Sequence, residues 1–156
     1  LRTVASEAEN DVVTAVVAAA VLILAAGAAA PLPGLPQYTQ GYTKWTKLNR
    51  APIPKRANDA HFSIKNVYAS RLPRAGSARY PLGTVIVKEG RVQPGAPVTL
   101  IAIMRKTAVR ANNGWVMIEW TRPNGRARFT ELARGQVCYS CHVGARRTDY
   151  VFTKRR

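Results

Sequence analysis

Three residues near the end of the sequence have the types and spacing to do chemistry: Cys138 and Cys141, three positions apart, and His142 directly after. Two thiols so placed can form thioethers with the vinyl groups of a haem, and the next imidazole can reach the iron. A structural zinc would need four ligands. Beyond these three the sequence offers only a distant histidine, His61. A thioredoxin-like redox pair would need a βαβ context, which the pattern lacks. Two cysteines also cannot staple a chain of 156 residues. The motif therefore points to one covalently attached haem c, with Cys138 and Cys141 as tethers and His142 as proximal iron ligand. For the opposite axial position the neutral candidates are Met104, Met117 and His61. An open or water-filled distal side is the alternative. Against each candidate stands an ordinary role, core filling for a strand methionine and solvation for a loop histidine.

Elements must bring these residues together. Residues 64–69, 83–89, 98–104 and 115–121 are rich in β-branched and aromatic side chains and are bounded by Gly, Pro or Asn, as strands are. Pro123-Asn124-Gly125 reads as a turn. Residues 129–137 read as a helix capped by Thr130, delivering the Cys138 to His142 motif. Tyr38, Tyr42, Trp45 and Leu48 fall at helical spacing, which predicts a short helix over 38–48. A Pro-, Lys- and Asn-rich loop occupies 50–60.

The length suits one domain with a short appendage. Residues 12–30 form nineteen positions without a charge. As a helix they would span roughly 28 Å, about the hydrocarbon thickness of a bilayer. The competing reading is a secretory signal, since Ala28-Ala29-Ala30 resembles a cleavage site. The expected organisation is a tail over 1–11, a transmembrane anchor over 12–30, a Pro-rich linker over 31–37 and a haem domain over 38–156. The net charge is +16. From residue 31 onward five acids face 23 Lys and Arg. Such a field favours anionic partners. An acidic redox partner or a membrane electron-transport complex fits an exported haem protein, and nucleic acid does not. Covalent haem attachment to CxxCH places the domain on the outer, periplasmic side, although the positive-inside rule alone would favour the cytoplasm.

One family resembles this sequence in order and motif. Tyr42-Thr-Lys-Trp45 is followed by Asn66-Val-Tyr68, then Gly83-Thr-Val-Ile-Val-Lys-Glu89 and Gly114-Trp115. The CxxCH motif and Thr148-Asp-Tyr-Val-Phe-Thr153 complete the series. Together they resemble the cytochrome P-460 and cytochrome c′-beta family over about residues 38–154. The resemblance implies an α+β fold: a mainly antiparallel β-sheet with a few helices, enclosing a haem ligated by the CxxCH histidine. It also splits the function. Family enzymes oxidise hydroxylamine on a haem cross-linked to a lysine, for which Lys88 is the match. The c′-beta members bind nitric oxide without that link. The stretch matching the enzymes' distal carboxylate, residues 100–104, is apolar and offers no proton acceptor, which counts against hydroxylamine oxidation. Glu119 on the next strand is a candidate only if that face of the strand meets the pocket.

The expectation drawn from the sequence is an electron carrier: a membrane-anchored monohaem cytochrome, an accessory subunit of a respiratory or photosynthetic complex. Ile101, Ile103 and Trp115 would shield a six-coordinate haem and raise its potential. The alternative is an open site for hydroxylamine oxidation or nitric oxide binding. A third class is a subunit whose haem serves assembly.

Overall fold

A computed structural model describes residues 32–154. The tail expected over 1–11 and the membrane anchor expected over 12–30 lie outside the described residues. Among the described residues no helix is long and apolar enough to cross a membrane.

Six strands form one antiparallel sheet in sequence order: β1 (Thr46–Lys47), β2 (Ile64–Ala69), β3 (Val85–Arg91), β4 (Leu100–Lys106), β5 (Trp115–Thr121) and β6 (Thr130–Arg134). Among the described residues one α-helix is present, α1 (Gln136–His142), directly after β6. The fold is thus the mainly β, α+β arrangement read from the sequence, and all four anticipated strands are present within two residues of their expected bounds. Asn124 makes the β5–β6 turn by accepting the Arg126 and Ala127 N–H groups on its side-chain oxygen, each at 3.0 Å.

Two local expectations fail. Residues 38–48 do not form a helix: 3-10 turns at Gln37–Thr39 and Tyr42–Lys44 are separated by Gly41 in the left-handed region, and the chain then joins the sheet as β1. The aromatic spacing instead reflects docking, because Tyr42 and Trp45 pack on the sheet. Helix formation over 129–137 also fails, because residues 130–134 pair with β5. That pairing satisfies backbone groups along a whole edge, which a weakly periodic segment cannot match on its own. Thr130 is the first residue of β6 and no cap.

Alternation along the strands creates two apolar layers. On one face Val85, Val87, Ile101 and Ile103 pack with Tyr42, Tyr68 and Phe129. Burying each such aliphatic side chain contributes about 1.5–3 kcal/mol. Residues 32–35 of the Pro-rich stretch belong to this layer. Phe129 N–H donates to Pro33 O at 2.8 Å, and a Cβ on Gly34 would lie 2.2 Å from Phe129 O. Only glycine fits there. On the other face Val67, Ile86, Met104, Met117 and Trp115 pack with Tyr80 and Val151. Cys138 and Tyr139 of α1 lie against this second layer.

Candidate functional site

Gly135 sets the direction of α1. Its φ of 68° lets the chain leave β6 and turn into the helix, and its N–H donates to Met117 O at 2.9 Å. Within α1, Cys138, Cys141 and His142 stand at i, i+3 and i+4, one helix face. Cys138 is half-buried and Cys141 exposed. Burial pushes the Cys138 thiol above its ordinary value, with the Glu119 charge adding to it. His142 is buried, and its Nδ1 lies 2.7 Å from the Tyr150 carbonyl oxygen. With Nδ1–H donating there, Nε2 keeps its lone pair, the arrangement of a metal-binding imidazole. Burial, above all, lowers the His142 pKa, which favours the neutral, ligating form.

Above α1 lies a cavity of about 620 Å3. Cys138, Cys141 and His142 line it together with Lys88, Glu119 and His61. The volume lies within the roughly 300–1,000 Å3 of cofactor pockets. One cross-strand row explains its sheet side: Val67, Lys88, Ala102, Glu119 and Ala133 are successive register partners across β2 to β6, and Lys88, Glu119 and Ala133 of that row line the cavity. Lys88 and Glu119 thus point to one side across the small Ala102, their Cα atoms two strand spacings, about 10 Å, apart. Glu119, Ala102's neighbour on the next strand, brings a carboxylate to the cavity lining.

The roof is the loop before β2. Lys65, buried at 3 % exposure, forms an ion pair with Asp59 and donates to His61 O at 3.2 Å and Ser63 O at 3.0 Å. Burial works to raise the Asp59 pKa. The bonds from Lys65 and the His61 backbone N–H, with the Lys88 charge, outweigh it and hold the carboxyl below its usual value. This staple sets His61 over the cavity, its Nδ1 3.3 Å from Glu119 Oε1. The contact lacks hydrogen-bond alignment, and Nδ1 has no other partner among the described residues. Lys88 makes no hydrogen bond or ion pair with a described residue, and burial lowers its pKa to about 8.

The structure separates the remaining candidates. His61 lines the main cavity, whereas Met104 and Met117 do not. Met104 instead shares with His142 a void of about 30 Å3, too small to hold a macrocycle between them. Met117 is 1 % exposed within the second apolar layer. Ile101 and Ile103 sit on the opposite face of the sheet and cannot shield a group held by α1. Trp115 is buried beside Tyr80, with Lys106 over its ring, and does not line the cavity. Sequence reasoning missed Asp59 and Lys65. The available signal was Lys65 itself, two residues before Val67 and therefore on the same inward face of β2.

An antiparallel sheet with a CxxCH helix facing a cofactor-sized cavity defines a c-type haem domain. The chain belongs to the cytochrome P460 family, whose model matches residues 39–153. Its cofactor is haem c. No curated relative matches the chain.

Proposed function

We propose that this protein oxidises hydroxylamine at a haem held over α1. Cys138 and Cys141 would carry the thioethers, His142 Nε2 would ligate the iron, and Lys88 would be the cross-linking amine. The observation that carries this reading is the polar side of the cavity. Lys88, Glu119 and His61 converge there with a free amine and an unsatisfied ring nitrogen, where an electron carrier would have an apolar shell.

A haem held by Cys138, Cys141 and His142 would supply the redox chemistry that moves the substrate's electrons to an external acceptor. The chain's own side chains handle the protons. Glu119 accepts a proton from the substrate's N–H or O–H. His61, 3.3 Å away and 15 % exposed at its side chain, is the next acceptor toward solvent. The half-buried Lys88 presents a larger fraction of neutral amine at neutral pH than a surface lysine does, and only the neutral amine has a lone pair to bond a porphyrin carbon. That step exchanges one N–H and one C–H for N–C and gives up two protons and two electrons to an added oxidant such as peroxide. The Asp59–Lys65 staple holds the roof that limits water entry.

The basic surface favours a second reading, a plain electron carrier to an acidic partner or membrane complex. The uncharged 12–30 segment supports anchoring to a membrane with the haem domain on the periplasmic side. The test is hydroxylamine-dependent reduction of a soluble dye acceptor by the purified protein, with the mass of the haem peptide read alongside. Turnover, and a haem joined to both the Cys138–Cys141 peptide and the Lys88 peptide, are expected. A haem bound through the cysteines alone, with no turnover, would leave the electron carrier.

A further inference from the structure

We propose that an arginine-rimmed cleft beside the β4–β5 hairpin docks an acidic electron-accepting protein. The cleft, of about 620 Å3, is distinct from the haem cavity. Arg79, Arg110, Arg146 and Arg147 stand around it. All four are exposed, and among the described residues none has a carboxylate at ion-pairing distance. The one acid in the lining, Asp149, is already engaged: Lys106 Nζ lies 2.7 Å from one oxygen, and the Tyr80 N–H donates to the other at 2.9 Å. Four uncompensated guanidiniums in one concavity create a field that draws polyanions and speeds their encounter.

The apolar lining identifies the kind of polyanion. Leu82 and Val109 are 59 % and 58 % exposed, and both line the cleft together with the arginines. Exposed aliphatic side chains interspersed with arginines are the composition of a protein interface. A free phosphate gains nothing from two aliphatic side chains, and a planar membrane surface does not reach into a cleft.

Position supplies the electron-accepting role, which rests on the haem reading above. Tyr150 lines the cleft, and its ring lies 5.2 Å from that of Tyr139, the residue following Cys138. Asn113, also in the lining, donates to the Tyr139 hydroxyl. The Tyr150 carbonyl in turn holds His142 Nδ1 at 2.7 Å. A partner seated in the cleft therefore touches Tyr150, whose ring packs on Tyr139 of the haem-bearing helix and whose carbonyl holds His142.

The test compares two triple charge reversals in the full-length holoprotein. Arg110→Glu/Arg146→Glu/Arg147→Glu alters the cleft. Lys47→Glu/Arg126→Glu/Arg128→Glu makes the same net change at exposed positions outside it. The probes are a polyglutamate peptide, inorganic phosphate and anionic lipid vesicles, with association followed by the protein's own heat and fluorescence. The cleft variant should slow polyglutamate association about tenfold or more, and the control less than about twofold. Oxidation of the reduced protein by an acidic cytochrome should slow in the same variant, and oxidation by an uncharged quinone should not. Equal losses in both variants would reduce the effect to overall charge and overturn the proposal. Phosphate or vesicles binding at the cleft in preference to polyglutamate would overturn it in favour of a small-anion or membrane site. Binding is read independently of the haem band. Cleft-dependent binding by a chain without that band would therefore refute the electron-accepting role and the haem reading separately from docking.

Discussion

Glu89 and Lys88 are neighbours on β3, yet the two faces of the sheet treat them in opposite ways. Glu89 points into the first apolar layer at 2 % exposure and is fully engaged. It accepts from the Tyr42 hydroxyl at 2.8 Å and from Asn66 Nδ2 at 3.0 Å, with Arg91 3.6 Å away. Burial, then the Glu89 charge and hydrogen bond, raise the Tyr42 pKa, so the hydroxyl keeps its proton. Lys88 points the other way, into the cavity, with no bonding partner among the described residues. Buried polar groups that are fully satisfied fix a structure, and those left unsatisfied mark a place where something else binds. The comparison teaches that the carboxylate on one face is spent on holding the fold together, whereas the amine on the other is left for whatever fills the cavity.

Breaking the polar face should cost activity before stability. Glu119→Gln keeps the shape of the side chain but removes the proton acceptor. Hydroxylamine turnover should fall about 10²- to 10⁴-fold, with the unfolding midpoint and haem spectrum nearly unchanged. Steady-state rates beside thermal melts check both halves.

The apolar face should behave in reverse. Ile103 is 2 % exposed in the first layer, and Ile103→Ala should destabilise by about 2–5 kcal/mol in denaturant unfolding. The haem spectrum of the folded fraction should not move, because Ile103 does not line the cavity.

Lys88 sharpens the comparison through pH. Its folded value is about 8, against about 10.4 for an unfolded lysine. Between those limits the unfolded chain retains a proton that the folded chain has lost, so stability rises with pH across that window. In a Cys138→Ala/Cys141→Ala background, where no haem can be attached, the gain should be about 1–3 kcal/mol. Lys88→Met should lack it, since below pH 8 it removes a constant penalty and above 10.4 it removes nothing. Denaturant unfolding at a series of pH values reads the difference.

The smallest effect belongs to the satisfied network. Tyr42→Phe removes one of the hydrogen bonds to Glu89 and should cost about 1–2 kcal/mol in the same unfolding assay. Turnover should be unaltered.

The strands were legible because β-branched runs between turn residues leave few other choices, and the CxxCH spacing was legible because its chemistry is local. The α1 boundary was not, because whether residues 130–134 form helix or strand is decided by pairing with β5, a contact distant from any helical signal. Glu119 was readable only as a residue on one of two faces. Its facing the cavity follows from register with Ala102 and Lys88, which no single strand encodes. The shielding role expected of Ile101 and Ile103 failed for the same reason, since one residue of alternation separates them from Ala102. The roof was missed because it depends on a buried Lys65–Asp59 pair across a loop, and a lysine in sequence normally reads as surface.

The central claim is that the cavity presents an open, reactive distal side and not a sealed electron-transfer site. The most direct measurement is the absorption spectrum of the dithionite-reduced protein before and after carbon monoxide. A five-coordinate spectrum that shifts at once on adding the gas is the predicted result. A six-coordinate spectrum indifferent to carbon monoxide would contradict the account, because a protein side chain would then already fill the position left for substrate.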